Sequence, residues 1–78
     1  MPKLVDELFH LRAADDHLRT AVYLISAEEA LVAKMRAAGL DTRVSEQLLS
    51  TMQSILRSFI SHRRAIRDAI EVELGRRA

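Results

Sequence analysis

Seventy-eight residues make one small domain at most, and a chain below about 80 residues rarely builds a core worth more than a few kcal/mol without disulfides, a metal or self-association. Cysteine is absent, which excludes disulfide staples, Cys-based zinc sites and thiol chemistry. Twelve basic side chains stand against 11 acidic ones, so no bulk field recruits nucleic acid or an anionic membrane.

The chain opens Met1-Pro2-Lys3-Leu4-Val5-Asp6-Glu7, with two acids where a signal peptide would carry an apolar run, and no later stretch approaches the roughly 18 uninterrupted apolar residues of a membrane span. A soluble, cytoplasmic protein is the expectation. From Lys3 to Ala38 neither Gly nor Pro interrupts a segment rich in Ala, Leu, Glu, Arg and Met, which predicts a first helix over about 3–38. Pro2 suits the first turn, whose amides lack intrahelical partners.

Ala38-Gly39-Leu40-Asp41-Thr42 is the one punctuation mark, with the turn at 39–41. Gly39 can take the left-handed conformation beyond a helix end, and Asp41 or Thr42 can accept hydrogen bonds from the free amides of the next helix. Leu40 is placed to staple onto the turn of Val44 and Ser45. A second helix is predicted over about 42–74, with Gly75 as its stop and Arg76-Arg77-Ala78 frayed beyond it. The whole chain, 1–78, reads as one all-α domain, an antiparallel helical hairpin.

Periodicity carries this further. Leu4, Leu11, Leu18, Ile25 and Val32 recur every seven residues, with Leu8 and Val22 four residues on and Ala14, Ala21 and Met35 three residues on. Met52, Phe59 and Ile66 keep the same spacing in the second segment, flanked by Leu48, Leu49, Ile55, Leu56, Ala69 and Ile70. Such a repeat holds one seam against a near-antiparallel partner, and the tight turn makes that partner the other helix of the same chain. Val5, Phe9, Leu24, Leu31, Ile60, Val72 and Leu74 fall off the seam. Two helices cannot enclose so wide a stripe, so a homodimer forming a four-helix bundle is expected.

His10-Leu11, Ala13-Ala14-Asp15-Asp16-His17-Leu18, Ile25, Glu29, Leu31-Val32, Gly39-Leu40-Asp41-Thr42, Leu48-Leu49, Met52, Leu56, His62-Arg63 and Ile66 together resemble a group of short bacterial helical-hairpin proteins. That group combines a mid-helix histidine, a Gly-x-Asp-Thr turn, a Leu-Leu pair and a late His followed by arginines. Glu28-Glu29 departs from it where Gln is the expected residue. The group has no established activity, so the resemblance implies a fold and no mechanism.

Three constellations bear on chemistry. Antiparallel pairing brings positions 17–18 level with 62–63, so His17, His62, Asp15 and Asp16 are expected to form a polar cluster in which imidazole–carboxylate hydrogen bonding fixes register. His10, seven residues before His17, would extend the stripe toward a metal site, but the Glu-x-x-His spacing of bundle metal centres is missing, and no metal or cofactor is assigned. Arg57, Arg63, Arg64 and Arg67 form a basic stretch able to touch phosphates, yet Asp68, Glu71 and Glu73 interrupt it without aromatic interleaving. Acid/base and nucleophile types occur at Asp15-Asp16, Glu28-Glu29 and Ser45, Ser50, Ser54, Ser58 and Ser61, none in an activating motif, and no catalytic residue is assigned. The expected function is that of a small non-enzymatic interaction or regulatory module, homodimeric, docking a further protein. The alternative is a nucleic-acid-associated dimer that uses the arginine face.

Overall fold

A computed structural model describes residues 3–77; Pro2 and Ala78, on which two of the expectations above fall, lie outside them. Two α-helices, α1 (Lys3–Ala37) and α2 (Arg43–Arg77), pack against each other as an antiparallel hairpin with extents of 60 × 17 × 15 Å. No helix among the described residues is long and apolar enough to cross a membrane.

Helix α1 ends in a Schellman motif. The amide of Leu40 donates to the carbonyl of Met35 at 2.9 Å and that of Gly39 to Arg36 at 3.0 Å, which satisfies carbonyls that the helix leaves without partners. This geometry needs a left-handed residue, and Gly39 supplies it with φ 73°. Lys34 and Arg36 in the last turn of α1 complement its dipole.

Helix α2 starts on Thr42, whose carbonyl accepts the Glu46 amide at 2.8 Å, while the Asp41 carboxylate accepts the Arg43 amide at 3.0 Å. The Arg43 guanidinium also donates to both Asp41 oxygens, and these bonds hold the Asp41 carboxyl below its ordinary pKa. The Thr42 hydroxyl donates to Glu46 at 3.0 Å rather than capping an amide. The staple expected from Leu40 onto Val44 is not made, because Val44 is 80% exposed.

Burial follows two interleaved seven-residue lines on each helix. On α1 they are Leu4, Leu11, Leu18, Ile25 and Val32, and Glu7, Ala14, Ala21, Glu28 and Met35. On α2 they are Leu49, Leu56, Arg63 and Ile70, and Ser45, Met52, Phe59, Ile66 and Glu73. Leu8 and Val22 stand outside these lines, at 49% and 51% exposure. The three-residue step of α1 therefore faces the partner helix and the four-residue step does not. Ala14 and Ala21 let the helices approach closely at the price of little buried area.

The core is correspondingly thin. Ala14, Ile25, Val32, Ile66 and Ile70 are the buried apolar residues, and Ala14, Ile66 and Ile70 cluster with Leu4 and Leu11 packed beside them. Polar residues occupy seam positions at Glu7, Glu28, Ser45, Arg63 and Glu73, each half-buried.

Helix α2 corrects one expectation, for it runs through Gly75 to Arg77 instead of stopping there. Gly75 has no positive φ and no Schellman turn follows it, so nothing competes with continued helix. A Cβ added at Gly75 would meet nothing within 4 Å. Gly75→Ala is therefore expected to stabilise the fold by about 0.5 kcal/mol, the lower end of the helix-interior difference between glycine and alanine. Urea titration checks this, and a loss of stability would mean that the position needs glycine.

Candidate interaction surface

The two helices leave a groove on each side of their seam, and the grooves differ in chemistry. One, a cleft of about 550 Å³, is lined by Asp15, Arg19, Arg63, Arg64, Arg67 and Glu71 among others. The other, about 370 Å³, is lined by His17, Thr20, Leu24, Met52, Ile55 and Phe59 with Ala21 and Ile25 at its floor.

The charged groove contains an ion pair between the two helices. Asp15 of α1 accepts from Nε of Arg63, a seam residue of α2, and both side chains are about one-third exposed. Near the turn, Arg36 and Glu46 pair across the same side. Each exchanges modest Coulomb energy at the surface, on the order of 1 kcal/mol or less. Register is fixed by the short connection between Ala37 and Arg43, and these pairs are compatible with it.

Asp15, Asp16, His17 and His62 do not converge as one cluster. Asp15 binds Arg63, Asp16 faces Arg19 on its own helix at 3.4 Å, and His17 lies over Phe59 with ring centroids 5.7 Å apart. His62 is exposed. The expected pairing sets positions 17–18 level with 62–63; the contacts instead join Asp15 to Arg63 and His17 to Phe59, and the seam residue is Arg63, one after His62. The spacing of Leu49, Leu56 and Ile70 passes through 63 and was the signal for this in the sequence. Among the described residues no three His, Cys, Asp or Glu side chains are grouped to hold a metal.

The arginine stretch is likewise divided. Arg63 is committed to Asp15, and Arg57 donates to the Ser54 hydroxyl at 2.9 Å. Arg64 and Arg67 line the charged cleft beside Asp68 and Glu71. Two hydroxyls of α2 serve their own helix: Ser58 donates to the Ser54 carbonyl and Thr51 to that of Gln47. Ser45 donates to the Met35 sulfur at 3.5 Å. Glu28 sits at the seam and Glu29 is exposed.

Outside the seam, large apolar side chains remain in solvent. Phe9, Tyr23, Leu24, Leu31, Leu48, Ile55, Val72 and Leu74 are 46–74% exposed. Comparison with protein-family models, curated proteins and solved structures finds no significant match.

Proposed function

We propose that this chain is a small non-enzymatic interaction module whose hairpins pair into a homodimeric four-helix bundle and whose remaining face docks another protein. The observation that carries this is surface. The chain exposes 5986 Å², whereas a compact monomer of 8.8 kDa exposes about 4,800 Å². Five buried apolar residues are a small core for a single chain, and side chains such as Leu24, Leu31, Leu48 and Ile55 gain roughly 25 cal/mol for each Å² they remove from water on association. Nucleic-acid association through Arg57, Arg63, Arg64 and Arg67 is the second reading, and the acids that share their cleft count against it.

Sedimentation equilibrium at micromolar concentration is expected to give twice the 8.8 kDa chain mass, independent of added oligonucleotide. A folded monomer across that range would overturn the proposal. Salt-dependent binding of any oligonucleotide would promote the second reading.

A further inference from the structure

The two flanks of the hairpin differ in a way that burial alone does not reveal. On either side of the seam each helix offers two seven-residue lines, and antiparallel pairing places like lines of α1 and α2 side by side. One flank carries Arg12, Asp15 and Arg19 from α1 beside Arg57, Arg64 and Arg67 from α2. The opposite flank runs from His10 to Leu31 on α1 and from Val44 to Val72 on α2 without a single Asp, Glu, Lys or Arg. Its polar groups over that span are hydroxyls and the three imidazoles of the protein.

Resting on the homodimer reading above, we infer that this uncharged flank is the surface on which the second copy sits, leaving the charged flank in water. Area supports a second copy as the occupant. The chain exposes 5986 Å², an excess of roughly 1,200 Å² over a compact monomer, whereas a stable protein–protein interface removes about 800 Å² from each partner. Charge supports it independently. A two-fold axis brings a surface against itself, so the arginine-rich flank would meet a second surface of the same net positive charge, whereas the other flank, from His10 to Leu31 and from Val44 to Val72, brings no Asp, Glu, Lys or Arg into the contact. The relief also suits self-packing. Leu31 and Leu48 protrude nearer the turn, and the apolar groove at Thr20, Leu24 and Ile55 offers about 370 Å³ to receive such side chains from the other copy. The Asp15–Arg63 and Arg36–Glu46 pairs lie on the other side, where they join the two helices without entering the interface.

Two matched pairs of substitutions test the assignment. Leu24 and Ile55 on the uncharged flank are 48% and 46% exposed, and Val22 and Ile60 on the charged flank are 51% and 44% exposed, so arginine costs the isolated hairpin about the same at either pair. Leu24→Arg/Ile55→Arg is expected to weaken dimerisation at least 100-fold by sedimentation, while Val22→Arg/Ile60→Arg changes it less than fivefold. A persisting dimer in the first variant with loss in the second would overturn the flank assignment while leaving the homodimer intact. A monomeric wild type would overturn the homodimer itself.

Should the first variant fail to fold, the absence of native cysteine permits a gentler test on neighbouring hydroxyl residues. An environment-sensitive fluorophore attached at Thr51→Cys, on the uncharged flank, is expected to shift its emission to the blue as concentration rises through dimerisation, and the same probe at Ser50→Cys, on the charged flank, is expected to show no shift. The reverse pattern in a dimeric protein would overturn the assignment.

Discussion

Ile66→Ala is expected to lower stability by about 3 kcal/mol. Ile66 is 5% exposed and packs in a contiguous cluster of buried residues, with Ala14 opposite and Ile70 one turn on. Ala14 contributes only a methyl there, and Leu4 and Leu11 beside it already pack against the cluster, so the cavity closes only in part. The same truncation at Leu48, half exposed, removes less area and is expected to cost under 1 kcal/mol in the isolated hairpin. Urea titration followed by far-ultraviolet circular dichroism at fixed protein concentration separates the two, since association would otherwise shift the midpoint by mass action. An Ile66→Ala midpoint within error of wild type would mean that this cluster is not the core.

Gly39→Val is expected to cost more than 2 kcal/mol or to change the fold. At φ 73° an L residue is strained by about 1–2 kcal/mol, and branching at Cβ adds to that. A Cβ at this position would meet nothing within 4 Å, so the penalty is one of backbone conformation and not of crowding. Gly39→Asn should therefore retain much of the wild-type stability, because Asn tolerates the left-handed region. The valine variant has an alternative in which α1 and α2 merge into a single helix. Seventy-five residues at 1.5 Å each would span about 110 Å, against the 60 Å of the hairpin. Small-angle scattering distinguishes these lengths directly. An unchanged maximum dimension together with unchanged stability would show that the turn does not depend on Gly39.

The hairpin itself was legible because its signals agree across levels. Helix formers without breakers, a Gly-x-Asp-Thr turn and a seven-residue line of branched apolar residues all indicate the same architecture. Less legible was which neighbouring line completes the seam. Hydrophobicity favours Leu8 and Val22, but close approach of two helices favours Ala14 and Ala21, and geometry prevailed at the cost of leaving two large side chains exposed. The same one-line ambiguity separates His62 from Arg63. A stop at Gly75 was expected from glycine's place at helix ends, yet Gly75 has no positive φ and the helix continues through it to Arg77. The charge asymmetry of the flanks was present in the sequence all along, but it emerges only once the seam register assigns each residue to a side.

The tight turn also dictates an order of events. Met35 and Ser45, ten residues apart in sequence, meet after closure of a short loop, whereas Asp15 and Arg63 are separated by 48 residues. If the far pair met first, the added loop entropy would be about 1.4 kcal/mol, a little over two doublings of loop length. Once the turn has formed, each further pair instead closes only a few residues beyond the last, so assembly proceeds as a zipper from Gly39 outward. Opening retraces that path from the free ends. Amide hydrogen exchange should therefore be slow from the turns around Ile25, Val32 and Leu49 to the cluster of Ala14, Ile66 and Ile70, and faster only beyond that cluster.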